Sequence, residues 1–177
     1  DLAQCEVGHE LALGLAPLGD EELGETVERE LSWLSESRPE AISRDGKMLL
    51  LSERYEGGGP GGSVYLRKTD GSPAVRLGDG GAASLSPDGN WVVAFVQPEG
   101  GNPGRLNLLP TGAGETRSLI SGGFDNIRAI SWLPNGKGVF FSGIETGRVE
   151  RGYSLDLTKT QPRPLTPEGV RLATPGV

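Results

Sequence analysis

The sequence is poor in the residues that most often carry metal and redox chemistry. It holds one cysteine (Cys5), one histidine (His9) and one methionine (Met48) in 177 residues. A single cysteine excludes an internal disulfide, and neither a cysteine cluster nor a second histidine is there to build a zinc site. Aromatic residues make up only 6% of the chain. No apolar run approaches the roughly 20 residues that a membrane-spanning helix requires. There is no basic stripe interleaved with aromatics, so the footprint of a nucleic-acid binder is missing. There is also no initiator methionine and no charged-then-apolar leader, which reads as an excised or processed segment.

What is abundant is glycine (29) and proline (13), together about 24% of the chain and about twice the usual share. Leucine, isoleucine, valine and phenylalanine supply a further 24% or so, above the roughly 20% below which a chain cannot bury enough apolar surface to fold. The combination describes a globular chain cut by many tight turns. The net charge of −7 is unevenly placed: residues 1–40 carry eleven acids and two bases, the remainder thirteen acids and fifteen bases. The acidic run Asp20 to Glu30 reads as a solvated face, with attraction of a basic partner as the alternative.

Three segments of the chain are alike: Ala41–Leu51, Ser84–Ala94 and Ser131–Phe141. Each is a short strand, an Asp-Gly or Asn-Gly turn and an apolar strand, with the turn glycines Gly46, Gly89 and Gly136 spaced 43 and 47 apart. Glycine takes positive φ freely and Asp or Asn tolerates it, so each segment predicts a β-hairpin. Further strands follow each hairpin: Ser63–Lys68 and Ala74–Leu77, Arg105–Leu109 and Thr116–Ile120, Gly152–Leu157 and Arg163–Thr166. Four antiparallel strands per 43 to 47 residues is the size of a propeller blade. The second strands, Met48–Leu51, Trp91–Val96 and Val139–Phe141, are almost continuously apolar, so both of their faces should be covered. Leu50, Val93, Phe95 and Phe140 are therefore expected in the core. The third strands alternate, as Val64 and Leu66 do against Tyr65 and Arg67, and belong nearer a rim.

The segments Ile42–Lys47, Leu85–Asn90 and Trp132–Lys137, with Val64–Gly71 and Tyr153–Asp156 behind them, resemble the repeat of TolB-type, WD-like β-propellers over roughly residues 40–177. Arg44 stands where proline is usual in that repeat and Asn135 replaces the turn aspartate. The fold class expected is all-β, a partial β-propeller of four-stranded antiparallel blades. Residues 40–79, 82–121 and 128–167 are the three complete blades. Residues 1–39 supply the outer strands of a preceding blade with an acidic loop, and residues 168–177 the first strand of a next one. Arg29–Leu34 is predicted as a strand in that phase, although Leu23, Val27, Leu31 and Leu34 also fall at helical spacing. Three blades are about half the ring common in this family. The rest of the ring is thus expected in a parent chain, and uncovered blade faces imply self-association of this piece alone.

No residue is nominated as catalytic, cofactor-binding or metal-ligating. Gly57–Gly62 matches G-x-G-x-x-G in form, but it precedes the predicted strand Ser63–Lys68 instead of a helix and contains Pro60, so it reads as a hairpin loop. His9-Glu10 begins like H-E-x-x-H, but position 13 is leucine. Cys5 has no basic surroundings in sequence to activate it. There is no G-x-S-x-G elbow and no D-x-[DN]-x-[DN]-G calcium loop. Trp91, Phe95, Trp132, Phe140 and Phe141, with Tyr65 and Tyr153 at matching repeat positions, are assigned to packing between blades. The resemblance implies a non-catalytic module that binds protein or peptide through rim loops, in a periplasmic or otherwise extracytoplasmic place. Similar propellers occur as scaffold subunits and as the sensory halves of bacterial serine/threonine kinases. The alternative it implies is the gating propeller of a prolyl-oligopeptidase-like peptidase, whose catalytic domain would lie outside this chain.

Overall fold

Each Asp-Gly or Asn-Gly turn closes a hairpin by the same set of bonds. The glycine N–H donates to the carbonyl three residues back in all three: Gly46 to Ser43 at 2.8 Å, Gly89 to Ser86 at 2.9 Å, Gly136 to Leu133 at 2.9 Å. These glycines have φ of 69°, 73° and 67°, a region that L side chains enter only at a cost. Asp45 and Asp88 each take a hydroxyl, from Ser43 and Ser86 respectively, at 2.6 Å. Those hydrogen bonds hold both exposed carboxyls below their usual range. The third turn has leucine where the others have serine, and there Asn135 Oδ1 only accepts the Lys137 N–H, at 3.0 Å.

The computed structural model of the chain describes residues 29–54, 58–59 and 61–170, almost all within the compact unit Leu31–Val177. Among them there is no helix and there are three four-stranded antiparallel sheets. The first holds β1 (Arg38–Ile42), β2 (Met48–Glu53), β3 (Ser63–Lys68) and β4 (Val75–Asp79). The second holds β5 (Gly81–Leu85), β6 (Trp91–Val96), β7 (Arg105–Pro110) and β8 (Arg117–Ser121). The third holds β9 (Phe124–Trp132), β10 (Gly138–Glu145), β11 (Arg151–Asp156) and β12 (Arg163–Pro164). Strands neighbour one another in chain order within every sheet. The first strands begin at 38, 81 and 124, earlier than the expected blade starts at 40, 82 and 128. In the first hairpin of each sheet a bulge puts one extra residue on the first strand, between Pro39 and Ala41 of β1, Gly81 and Ser84 of β5, and Arg128 and Ser131 of β9, where Ala129 has a φ of 52°.

The sheets stack through two apolar layers. Leu50, Val64 and Leu66 of the first sheet meet Ala83, Val92, Ala94 and Leu109 of the second. Val93, Phe95, Leu106 and Leu108, on the other face of the second sheet, meet Ile127, Trp132, Val139, Phe141, Tyr153 and Leu155 of the third. β6 is thus covered on both faces, which is why its sequence does not alternate. Phe124 stands edge-on to Phe141 and Tyr153, with centroids 5.7 and 5.1 Å apart, while Phe141 and Tyr153 stack at 5.5 Å. The Trp132 indole N–H crosses between sheets to the Ser84 carbonyl, at 2.9 Å.

Two expectations need correction. Leu50, Val93 and Phe95 are buried, but Phe140 is only half-buried. It alternates with Val139 and Phe141, which face the second sheet, and so points to the opposite side, over which no further sheet lies among the described residues. Arg29–Leu34 is not a strand. Its polar backbone groups are taken by side chains instead of a ladder. The Ser37 hydroxyl oxygen accepts the N–H groups of Trp33 and Leu34 at 2.7 and 3.1 Å, and the Arg67 guanidinium donates to the Ser32 carbonyl at 2.7 Å while lying over the Trp33 ring. Most of the expected flanking part-blades, residues 1–28 and 171–177, lies outside the described residues.

The Ser37 hydroxyl also donates to Oε1 of Glu53, which is fully buried at the end of β2, while Oε2 has no partner among the described residues. Ser37→Ala leaves a second buried oxygen unsatisfied and is expected to lower stability by about 1–3 kcal/mol, measured by urea unfolding. Phe141→Ala is expected to cost about 3–5 kcal/mol, as large core truncations do. Phe140→Ala should cost well under half as much in the same experiment, and equal costs would refute the facing assigned to the two rings.

Candidate functional site

Antiparallel connectivity places the three Asp-Gly or Asn-Gly turns at one end of the sheets and the starts of β1, β5 and β9 at the other. At that second end the sheets leave a cleft of about 850 Å3. Its polar lining comes from Arg54, Gln97, Asn126 and Arg128, its apolar lining from Phe95 and Ile127, and the rest from Gly59, Gly61, Gly62 and Gly81. The repeat explains how these residues meet. Arg54 and Gln97 each lie eight positions after their turn glycine, and Gly81 and Arg128 each lie eight positions before theirs. Every sheet therefore brings the same two backbone positions to this rim, with different side chains on them.

The cleft is fixed by contacts between sheets. Gln97 Nε2 donates to Asn126 Oδ1 at 3.2 Å, tying the second sheet to the third. Ile127 and Phe95, almost fully buried, anchor it in the apolar layer. Beside it, Glu40 sits at the bulge of β1 and faces the second sheet. Its carboxylate accepts the Ser52 hydroxyl at 2.5 Å and interacts with the Ala83 backbone N–H and with the charges of Arg38 and Arg54. Burial raises its pKa above the ordinary carboxylate value, and these partners offset that only in part. Among the described residues no three of His, Cys, Asp and Glu gather in one place.

The motifs weighed in the sequence fare as follows. The glycine-rich stretch runs straight into β3, with Gly62 N–H donating to Gly59 carbonyl at 3.1 Å, so no helix N-terminus is there to hold a phosphate. Gly57 and Pro60 of that stretch, Cys5 and His9 lie outside the described residues. Tyr153 is fully buried and Tyr65 half-buried, and they face Phe141 and Leu51 across equivalent strand pairs. Sequence reading passed over Arg54, Gln97, Asn126 and Arg128. Counting eight positions either side of the turn glycines would have found Arg54, Gln97 and Arg128.

Stacked four-stranded sheets whose first strands line up side by side, joined in chain order and repeated by one turn motif, are the blades of a β-propeller. The solved structures that the chain resembles include TolB. A protein assigned as TolB from Agrobacterium tumefaciens is 27% identical over 76% of this chain and 47% of its own, with a TM-score of 0.57. TolB from Acinetobacter baumannii is 18% identical over 73% and 32%, with a TM-score of 0.58. The β-propeller domain of the trilobed protease from Pyrococcus furiosus is 13% identical over 76% and 43%, with a TM-score of 0.55. The chain thus spans between about a third and a half of the length of these structures. No protein-family model matches the sequence, and no curated protein matches it.

The raised pKa of Glu40 fixes a sign for pH dependence. A carboxyl that is harder to ionise in the folded state contributes stability that is fully present below its unfolded value and lost as pH rises through the folded value. Glu40→Gln keeps an acceptor for Ser52 and removes the titration. Its stability relative to the parent is therefore expected to be greater at pH 7.5 than at pH 4.5, by urea melts at both. A gain confined to low pH would show that the Ser52 hydrogen bond, with Arg38 and Arg54, outweighs burial.

Proposed function

We propose that this chain is a non-catalytic propeller module that binds a protein or peptide segment in the cleft at the rim where β1, β5 and β9 begin. One observation carries the reading. Residues from three separate sheets, held by a rigid strand framework, converge there on a concave, polar-edged space large enough for several peptide residues. Rigid scaffolds presenting variable rim positions are a common basis for recognition. The likeness to TolB structures supports placing the parent protein outside the bacterial cytoplasm. A second reading is favoured by the likeness to a protease's propeller domain. In it, the module gates access to a peptidase domain elsewhere in a longer chain, and a Gly-x-Ser-x-Gly motif in that chain would distinguish it.

A random peptide library displayed on phage tests the main reading. Gly81 lies outside the left-handed region, and a Cβ added there meets nothing within 4 Å, so Gly81→Val adds bulk to the cleft lining with no clash at its first carbon. Selected peptides are expected to lose binding to Gly81→Val and to keep it with Arg44→Ala, an exposed change at the opposite end of the sheets. Failure to select peptides, or peptides indifferent to Gly81→Val, overturns it.

A further inference from the structure

The charges at the cleft say more than its shape. The acidic excess of the chain lies in residues 1–40, and residues 41–177 are nearly balanced; the two charged side chains lining this cleft among the described residues, Arg54 and Arg128, are both guanidinium groups. They are exposed. Several arginines of the sheets and turns are already engaged: Arg76 with Asp79, Arg148 and Arg151 with Glu145, Arg67 with three backbone carbonyls, and Arg117 over the Trp91 ring. Arg128 differs. Among the described residues it has neither an ion pair nor a hydrogen bond. Arg54 is faced by Glu40, but that carboxylate also answers to Arg38, to the Ser52 hydroxyl and to the Ala83 N–H. Its charge is therefore shared, and the described lining of this cleft keeps an excess of positive charge.

The rest of the lining fits a polypeptide. The Gln97–Asn126 bond uses one donor and one acceptor, which leaves an acceptor on Gln97 and a donor on Asn126 for a passing main chain. Gly59 and Gly81 have no neighbour within 4 Å of a Cβ position, so a ligand can approach their backbone closely. A neighbouring cleft of about 530 Å3 shares Gly59, Gly61, Gly62 and Gln97 but is lined by both signs, Arg76 and Arg105 against Asp79 and Glu99. Among the described residues, the larger cleft is the one whose charged lining has a single sign.

Resting on the peptide-binding reading above, we infer that the partner segment is acidic, and that Arg54 and Arg128 receive its Asp or Glu carboxylates. Guanidinium is suited to this because its planar fork donates two parallel N–H bonds to one carboxylate. Fluorescence anisotropy with three labelled probes tests it at 0.15 M salt: a Gly/Ser peptide carrying Asp and Glu, the same peptide with Asn and Gln, and a single-stranded DNA oligonucleotide of equal charge. The acidic peptide is expected to bind at least about tenfold more tightly than its amide twin. Arg128→Gln should remove most of that preference, and Arg54→Gln with Arg128→Gln all of it, with thermal melts confirming that the variants fold. Gly81→Val should weaken both peptides equally. Equal binding of the two peptides, a preference that survives the double substitution, or tighter binding of the oligonucleotide overturns the inference. If Gly81→Val blocks binding while the arginine substitutions change nothing, the cleft remains the peptide site and only the acidic preference falls. If Gly81→Val changes nothing, the cleft itself is the wrong place.

Discussion

A strand with apolar side chains on both faces needs cover on both sides, and this requirement organises the molecule. Val92 and Ala94 of β6 press on the first sheet while Val93 and Phe95 press on the third. No arrangement of one sheet alone satisfies such a strand. Once the sheets are stacked, the other features follow. Their first strands must lie side by side. The bulges at Glu40 and in β5 adjust the register there, and polar groups such as Ala83 N–H and Ser84 carbonyl meet side chains from the next sheet instead of water.

That requirement is also why so much of the fold was legible. Turn chemistry at Gly46, Gly89 and Gly136 is local, and continuous apolar runs announce double cover. The two signals repeat in phase, so the four-strand unit can be recognised without any contact being known. The repeat tolerates loss of part of its hydrogen bonding. The third turn has Leu133 for serine, and Leu157 stands where Thr69 and Thr111 donate their hydroxyls to the Gly46 and Gly89 carbonyls. It closes nonetheless, because Leu133 N–H to Gly138 carbonyl and Leu157 N–H to Lys137 carbonyl keep the backbone part of the pattern.

What escaped notice had non-local causes. Pattern alone gives Phe140 and Phe141 equal claims on the core, and only the placement of the neighbouring sheet separates them. β2 continues to Glu53, past its last leucine, because Ser52 and Glu53 find partners twelve and sixteen residues earlier, in Glu40 and Ser37. A buried glutamate where the other repeats have Val96 and Gly143 leaves no trace in composition or periodicity. The segment before β1 looked like a strand because it is apolar at intervals. It is a loop because Ser37 and Arg67 satisfy its backbone more locally than a ladder would.

The repeat separates positions that must agree from positions that need not. Turn glycines must agree, since φ near +70° excludes most alternatives. Second-strand residues must remain apolar, since a neighbouring sheet covers them. The positions eight residues either side of the turn are under neither constraint: they read Arg38, Gly81 and Arg128 before it, and Arg54, Gln97 and Ile144 after it. They reach one rim, where no turn geometry and no packing layer dictates the side chain. The basic pair there is therefore dictated neither by turn geometry nor by a packing layer. The scaffold would close equally well with other residues at these places, so the chemistry of the cleft is free to answer to a ligand.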